Sequence, residues 1–173
     1  MVFGKKKSVA GLDIGSSSVK MVELEGKGGS YSLAGLGFEN IPDETIIDGQ
    51  RMELNAVSDV IQKVCANHNI KAERVVTGVS GHSVIIKNIV LPAMSDEELE
   101  ESIDWHAEEH VPYDLADVSL DYQVTGRTSD STQVLIAACK RERIDNVRQA
   151  IQLAGKEPAV IDVIPSHYRT VTK

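Results

Sequence analysis

The sequence predicts an α/β protein in which a mixed sheet, opened by an antiparallel meander, is followed by a compact α+β unit. Three observations carry this. Residues 9–13, 18–24 and 31–38 are short apolar or alternating runs separated by Gly/Ser turns, the pattern of consecutive antiparallel strands. Next, Leu54, Val57, Val60, Ile61, Val64 and Cys65 fall at helical spacing, and the β-branched run 74–79 follows as a buried strand, so strand, helix and strand complete a mixed sheet. Last, residues 84–164 read as β-α-β-β-α-β, the order of an independent α+β unit.

Each element has its own justification. Gly28-Gly29 separates two alternating runs and marks the hairpin between the second and third strands. Residues 42–49 read as a loop, and the polar run Asn67-His68-Asn69 closes the helix, with His68 as a helix-end residue. Residues 80–83 turn, 84–91 form a strand that stops at Pro92, and Ser95-Asp96-Glu97-Glu98 is a capping box with Ser95 as N-cap. On that helix Leu99, Ile103, His106-Ala107 and His110-Val111 form the inward stripe. Trp105 lies off the stripe, either covered by a neighbouring segment of the chain or offered to a partner; cover by the chain is the expectation. Residues 120–125 and 133–138 form a second hairpin around Gly126-Arg127-Thr128-Ser129-Asp130. A helix over 141–154 is closed by Gly155, and a last strand runs over 159–164.

The chain of 173 residues carries 18 basic and 26 acidic residues, a net charge of −8. From 88 to 126 there are eleven acidic residues and no Lys or Arg, so the negative charge is one block centred on one helix, read first as a solvated face. A nucleic-acid binder needs a basic face, and none is expected here. No apolar run approaches the roughly 20 residues of a membrane helix. Lys5-Lys6-Lys7 reads as a solvated tail, and Cys65 and Cys139, far apart in sequence, read as two buried thiols of a reducing compartment, the cytoplasm.

Chemistry concentrates in one stretch, Val9 to Lys20. A short apolar strand ends at Asp13, Gly15 begins a turn carrying Ser16, Ser17 and Ser18, and Lys20 opens the next strand. Glycine admits a phosphate close to the backbone and tolerates positive φ, the hydroxyls add neutral donors, and Lys20 adds a cation. Asp13 suits such a site when a hydrated Mg²⁺ stands between carboxylate and phosphate. The turn leads into a strand, so it is neither the G-x-x-x-x-G-K-[ST] loop nor the G-x-G-x-x-G dinucleotide turn, and a plain polar hairpin is the alternative. His106-Ala107-Glu108-Glu109-His110 also matches the H-x-x-E-H pattern of some zinc peptidases. With Pro112 ending the helix and no third ligand marked, a zinc site is not expected.

These residues carry a family likeness. The opening 5–24, Val79-Ser80-Gly81 to Lys87 before Leu91-Pro92, Ser95-Asp96-Glu97-Glu98-Leu99-Glu100, Trp105 to Pro112, and Val160-Ile161-Asp162-Val163 resemble, in order, the PilM family of type IV pilus assembly. The resemblance implies an actin-like ATPase (ribonuclease H-like) fold similar to that of FtsA. Residues 1–81 and 165–173 would belong to core subdomain 1A, and 82–164 to an inserted subdomain 1C. It implies a site for ATP with Mg²⁺, in which Gly15, Ser16, Ser17 and Ser18 donate to phosphate, Lys20 is the cation and Asp13 reaches Mg²⁺ through water. It assigns no catalytic residue.

The same resemblance implies a cytoplasmic scaffold at the inner face of the inner membrane. Its partners would be the cytoplasmic N-terminal peptide of PilN and other inner-membrane assembly proteins, through which it would be peripheral to the membrane. Chains of this family are about twice as long, and the other half supplies the second wall of the nucleotide cleft. Here the chain stops inside a returning helix expected from Pro165, so weak or absent ATP binding and no hydrolysis are the expectation, unless self-association supplies that wall. An ATPase or small-molecule kinase of the actin-like superfamily is the alternative; it would need a carboxylate across the cleft, and no second Asp-x-Gly loop follows.

Overall fold

The computed structural model describes residues 8–27, 29–47, 51–81 and 84–164. The lysines at 5–7, Gly28 of the first hairpin turn, the end of the 42–49 loop, His82 and Ser83, and the helix expected from Pro165 lie outside the described residues. In chain order the elements are β1 (Val9–Ile14), β2 (Ser18–Lys27), β3 (Ser30–Asn40), β4 (Ile46–Ile47), β5 (Arg51–Met52), α1 (Leu54–Asn67), β6 (Arg74–Val79), β7 (Val84–Pro92), α2 (Asp96–Glu108), a 3₁₀ turn (Leu115–Asp117), β8 (Val118–Arg127), β9 (Ser131–Lys140), α3 (Arg141–Leu153) and β10 (Glu157–Val163). The described residues fall into two compact units, one of those up to Val79 with Asp145–Asp162, the other of those in 80–144 with Val163 and Ile164.

In the first unit a five-stranded sheet runs in the order β10-β6-β1-β2-β3. β1, β2 and β3 are antiparallel neighbours, and β6 pairs parallel to β1, which a crossover through α1 permits. One sheet face buries Ala10, Leu12, Val19, Met21 and Val75. α1 packs there over β2 and β3 through Val57, Val60, Ile61 and Val64. β3 allows that approach because a Cβ on Gly37 would stand 2.3 Å from the His68 ring at the helix end. Glu23, buried on the same face, accepts a hydrogen bond from the Lys71 N–H at 2.7 Å.

Register places the opposite face in rows. Gly11, Val22 and Leu36 share one row and Val9, Leu24 and Leu33 the next, while Asp13, Lys20 and Phe38 share the row at the turn. Leu33, Leu36 and Phe38 are 60%, 64% and 62% exposed. Apolar side chains on both faces are the pattern of a sheet built to be covered on both sides.

The second unit is a three-stranded antiparallel sheet, β7-β9-β8, with α2 against it. Its core joins Ile89 and Leu91 of β7, Leu99, Ile103 and Ala107 of α2, Val118 of β8, and Val134, Ile136 and Ala138 of β9. The capping box forms as read: Ser95 accepts from the Glu98 N–H, and the Glu98 carboxylate accepts from the Ser95 N–H at 2.8 Å. Arg127, at the end of β8, pairs with Asp96 and ties the hairpin to the start of α2.

Three expectations are corrected. The β-α-β-β-α-β order does not describe one unit, because β10 joins the five-stranded sheet beside β6. There the Glu157 N–H donates to the Glu73 C=O at 2.8 Å, and the Lys156 ammonium donates to the Ala72 C=O at 2.7 Å. Trp105 is 63% exposed and so is left largely uncovered, its ring meeting the His106 ring edge-on, because Leu99, Ile103 and Ala107 take the buried side of α2. The loop read over 42–49 contains β4, paired with β5.

Candidate functional site

The strand β1 ends and β2 begins at the predicted turn, and their pairing sets its chemistry. Asp13 lies opposite Lys20 and Ile14 opposite Val19, so Gly15, Ser16 and Ser17 are the residues left to turn the chain. The Gly15 N–H donates to the Ser18 C=O at 3.0 Å, and the Ser17 C=O accepts from the Ile41 N–H at 2.9 Å, which anchors the turn to the residue after β3. That second tie joins positions far apart in sequence and has no signature in the turn itself.

Gly15 relieves a tight approach to the Ser18 C=O and does not serve an unusual φ. It is not among the glycines with positive φ, which are Gly29, Gly81 and Gly155 among the described residues. A Cβ on Gly15 would stand 3.2 Å from the Ser18 C=O and 3.9 Å from Lys20 Nζ. Gly15 thus does not adopt the positive φ expected of it, and a side chain there would crowd the Ser18 C=O. Because the Gly15 N–H is already bonded within the turn, the groups open to an anion are the N–H groups of Ser16 and Ser17, which make no hydrogen bond among the described residues, and the hydroxyls. Ser16 and Ser17 are exposed and Ser18 is half-buried.

Lys20 Nζ donates to Asp13 Oδ2 at 2.9 Å, with the two side chains 57% and 60% exposed. Alone, such a pair contributes little to stability. Its placement is more informative, since side chains of opposite charge share one row beside two open backbone donors. A phosphate could take the ammonium and the amides, while the carboxylate, released, could hold a water of a hydrated Mg²⁺. One carboxylate suffices for that ion when phosphate oxygens supply other ligands, so the donor set fits the phosphate end of Mg-ATP. All six predicted residues, Asp13, Gly15, Ser16, Ser17, Ser18 and Lys20, are thus brought together at one end of the sheet.

The zinc pattern does not assemble. α2 ends at Glu108, where the N–H groups of His110 and Val111 both turn back to the Ala107 C=O at 2.9 Å, so His110 is exposed beyond the helix and not aligned with His106. No group of three or more His, Cys, Asp or Glu able to hold a metal occurs among the described residues. No helix among them is long and apolar enough to cross a membrane.

A family model described as type IV pilus assembly protein PilM matches residues 11–172. Among solved structures, a PilM–PilN type IV pilus biogenesis complex aligns with TM-score 0.79 and 31% identity over 90% of this chain and 47% of that one. The cytoplasmic domain of EpsL, an inner-membrane component of the type II secretion system of Vibrio cholerae, aligns with TM-score 0.59 and 11% identity over 90% of this chain and 57% of that one. The latter is a likeness of fold. The chain thus spans about half the length of the solved structures it resembles.

Proposed function

Since the chain belongs to the family of the type IV pilus assembly protein PilM, we propose that it serves as a scaffold of pilus assembly that docks the N-terminal peptide of a PilN-like protein. The observation that carries the reading is the match to a PilM–PilN complex along 90% of this chain at 31% identity. The scaffold works in the cytoplasm at the inner face of the inner membrane, and is held there by its partners. The actin-like, α/β fold of the family and the turn at 13–20 support nucleotide as the second ligand. Ser16, Ser17 and Lys20 hold phosphate, and Asp13 reaches Mg²⁺ through water. Bound Mg²⁺ would supply charge neutralisation, while the residues at 13–20 would orient the phosphates; no second Asp-x-Gly loop stands opposite them among the described residues. Nucleotide therefore tunes partner docking, a coupling between two sites, and is not consumed in rapid turnover.

Calorimetric titration tests this in two arms. A peptide of the PilN N-terminus is expected to bind the 173-residue chain saturably. Mg-ATP is expected to bind weakly, and Lys20→Ala to abolish the heat. A folded chain that takes up no peptide overturns the scaffold reading; tight ATP binding with turnover replaces it with an ATPase.

A further inference from the structure

The strand β9 passes directly into α3 at Lys140 and Arg141. A helix start normally carries an acceptor side chain and acidic residues, which satisfy the first N–H groups and complement the positive end of the helix dipole. α2 is built in that way, with Ser95 followed by Asp96, Glu97 and Glu98. α3 is preceded by Lys140, which has no acceptor, and opens with Arg141, Glu142 and Arg143. Cations gather where the dipole disfavours them.

Arg143 adds an independent observation. It is 8% exposed, and its Nε and Nη1, closed off from solvent, have no hydrogen-bond partner. Helical side chains lean toward the helix N-terminus, the direction of the first turn, and Cys139, the last buried residue of β9 and next to that turn, acts electrostatically on the Arg143 guanidinium. Burial draws the Arg143 pKa down, the sign of a cation desolvated without a carboxylate to offset it. Arg141 is exposed beside it, and Lys140 bends over the Tyr113 ring with Nζ 4.6 Å from its centre. A buried guanidinium, an exposed one and a row of first-turn N–H groups together match a dianion better than a single charge.

We propose that the first turn of α3, with Arg143 beneath it and Arg141 at its rim, is a binding site for one phosphate group, separate from the turn at Gly15–Lys20. The ligand is either free phosphate or the phosphate of an ester. The site needs neither the pilus partner nor nucleotide at the first turn.

Amide chemical shifts of the isotope-labelled chain decide the matter. Inorganic phosphate is added up to about 20 mM, above the millimolar dissociation constants of weak single-ion sites, and sodium chloride at equal ionic strength is the control. The amides of 141–144 are expected to move saturably with phosphate, and no longer to do so in Arg143→Met. Lys20→Ala is expected to remove any shifts at 15–20 and leave those at 141–144. Glycerol phosphate in parallel separates the sources: saturation by both assigns an ester, by inorganic phosphate alone the free ion. Amides of 141–144 that stay still in the folded, unaltered chain overturn the proposal, even if Arg143→Met fails to fold. So do equal shifts with chloride, or equal shifts in a folded Arg143→Met.

Discussion

Asp13 and Lys20 are within hydrogen-bond distance of each other on the exposed row of the sheet, so either can be removed at little structural cost. Asp13→Ala is expected to change unfolding free energy by no more than about 1 kcal/mol in urea denaturation, because exposed pairs contribute little, while it weakens the response of nucleotide binding to Mg²⁺ in calorimetry. Cys65 is the reverse case, a side chain whose packing decides its chemistry. Burial pushes its thiol pKa up, only partly opposed by Lys156, whose ammonium lies close to it. The neutral thiol is then favoured by folding: its contribution is complete below the unfolded-state pKa and is lost as pH rises from there toward the folded one. Stability is expected to fall above about pH 8.5, and Cys65→Ala, measured by urea denaturation between neutral pH and that range, is expected to flatten this fall. The chemistry of 13–20 was legible because residue types alone specify donors and charges. Arg143 was not, since burial of one arginine among several depends on what packs over it.

At the level of elements, helix starts and cores set the stability of the second unit. Both hydrogen bonds of the capping box are present at Ser95. Ser95→Ala is expected to lower unfolding free energy by about 1 kcal/mol, whereas Leu99→Ala, in the centre of the core and 1% exposed, is expected to lower it by about 2–5 kcal/mol; thermal or urea unfolding of both variants checks the ratio. α1, α2, α3 and the strands were legible within a few residues because their periods of 3.6 and 2 are written in the order of apolar residues. β4 and β5 were not, since two residues in each are too few to show a period. The turn of the second hairpin, expected over 126–130, is shorter at its start: Gly126 and Arg127 belong to β8, with a register shift at Gly126, and the chain turns over 128–130, where the Thr128 N–H donates to the Ser131 C=O at 2.9 Å.

For the molecule as a whole, the exposed apolar rows of the first sheet are the most conspicuous surface. Leu33→Ser combined with Leu36→Ser is expected to reduce binding of a hydrophobic dye by about half or more and to shift unfolding free energy by no more than about 0.5 kcal/mol, as surface changes do. Dye binding that the double variant leaves unchanged would place the sticky surface elsewhere. Sheet membership was the least legible feature: period identifies a strand but not its neighbour, which is why β10 reads as part of the second unit although it pairs beside β6. Its true place has a consequence in time. β10 lies about 80 residues after the β6 strand that it pairs with, so a ribosome adding about 5–20 residues per second releases β6 some 4–16 s before its neighbour exists. Throughout that interval the inserted unit, whose own strands pair locally, can finish folding while the older sheet still shows a bare edge, and it is then that a nascent chain is most open to capture by a chaperone or to pairing with another copy.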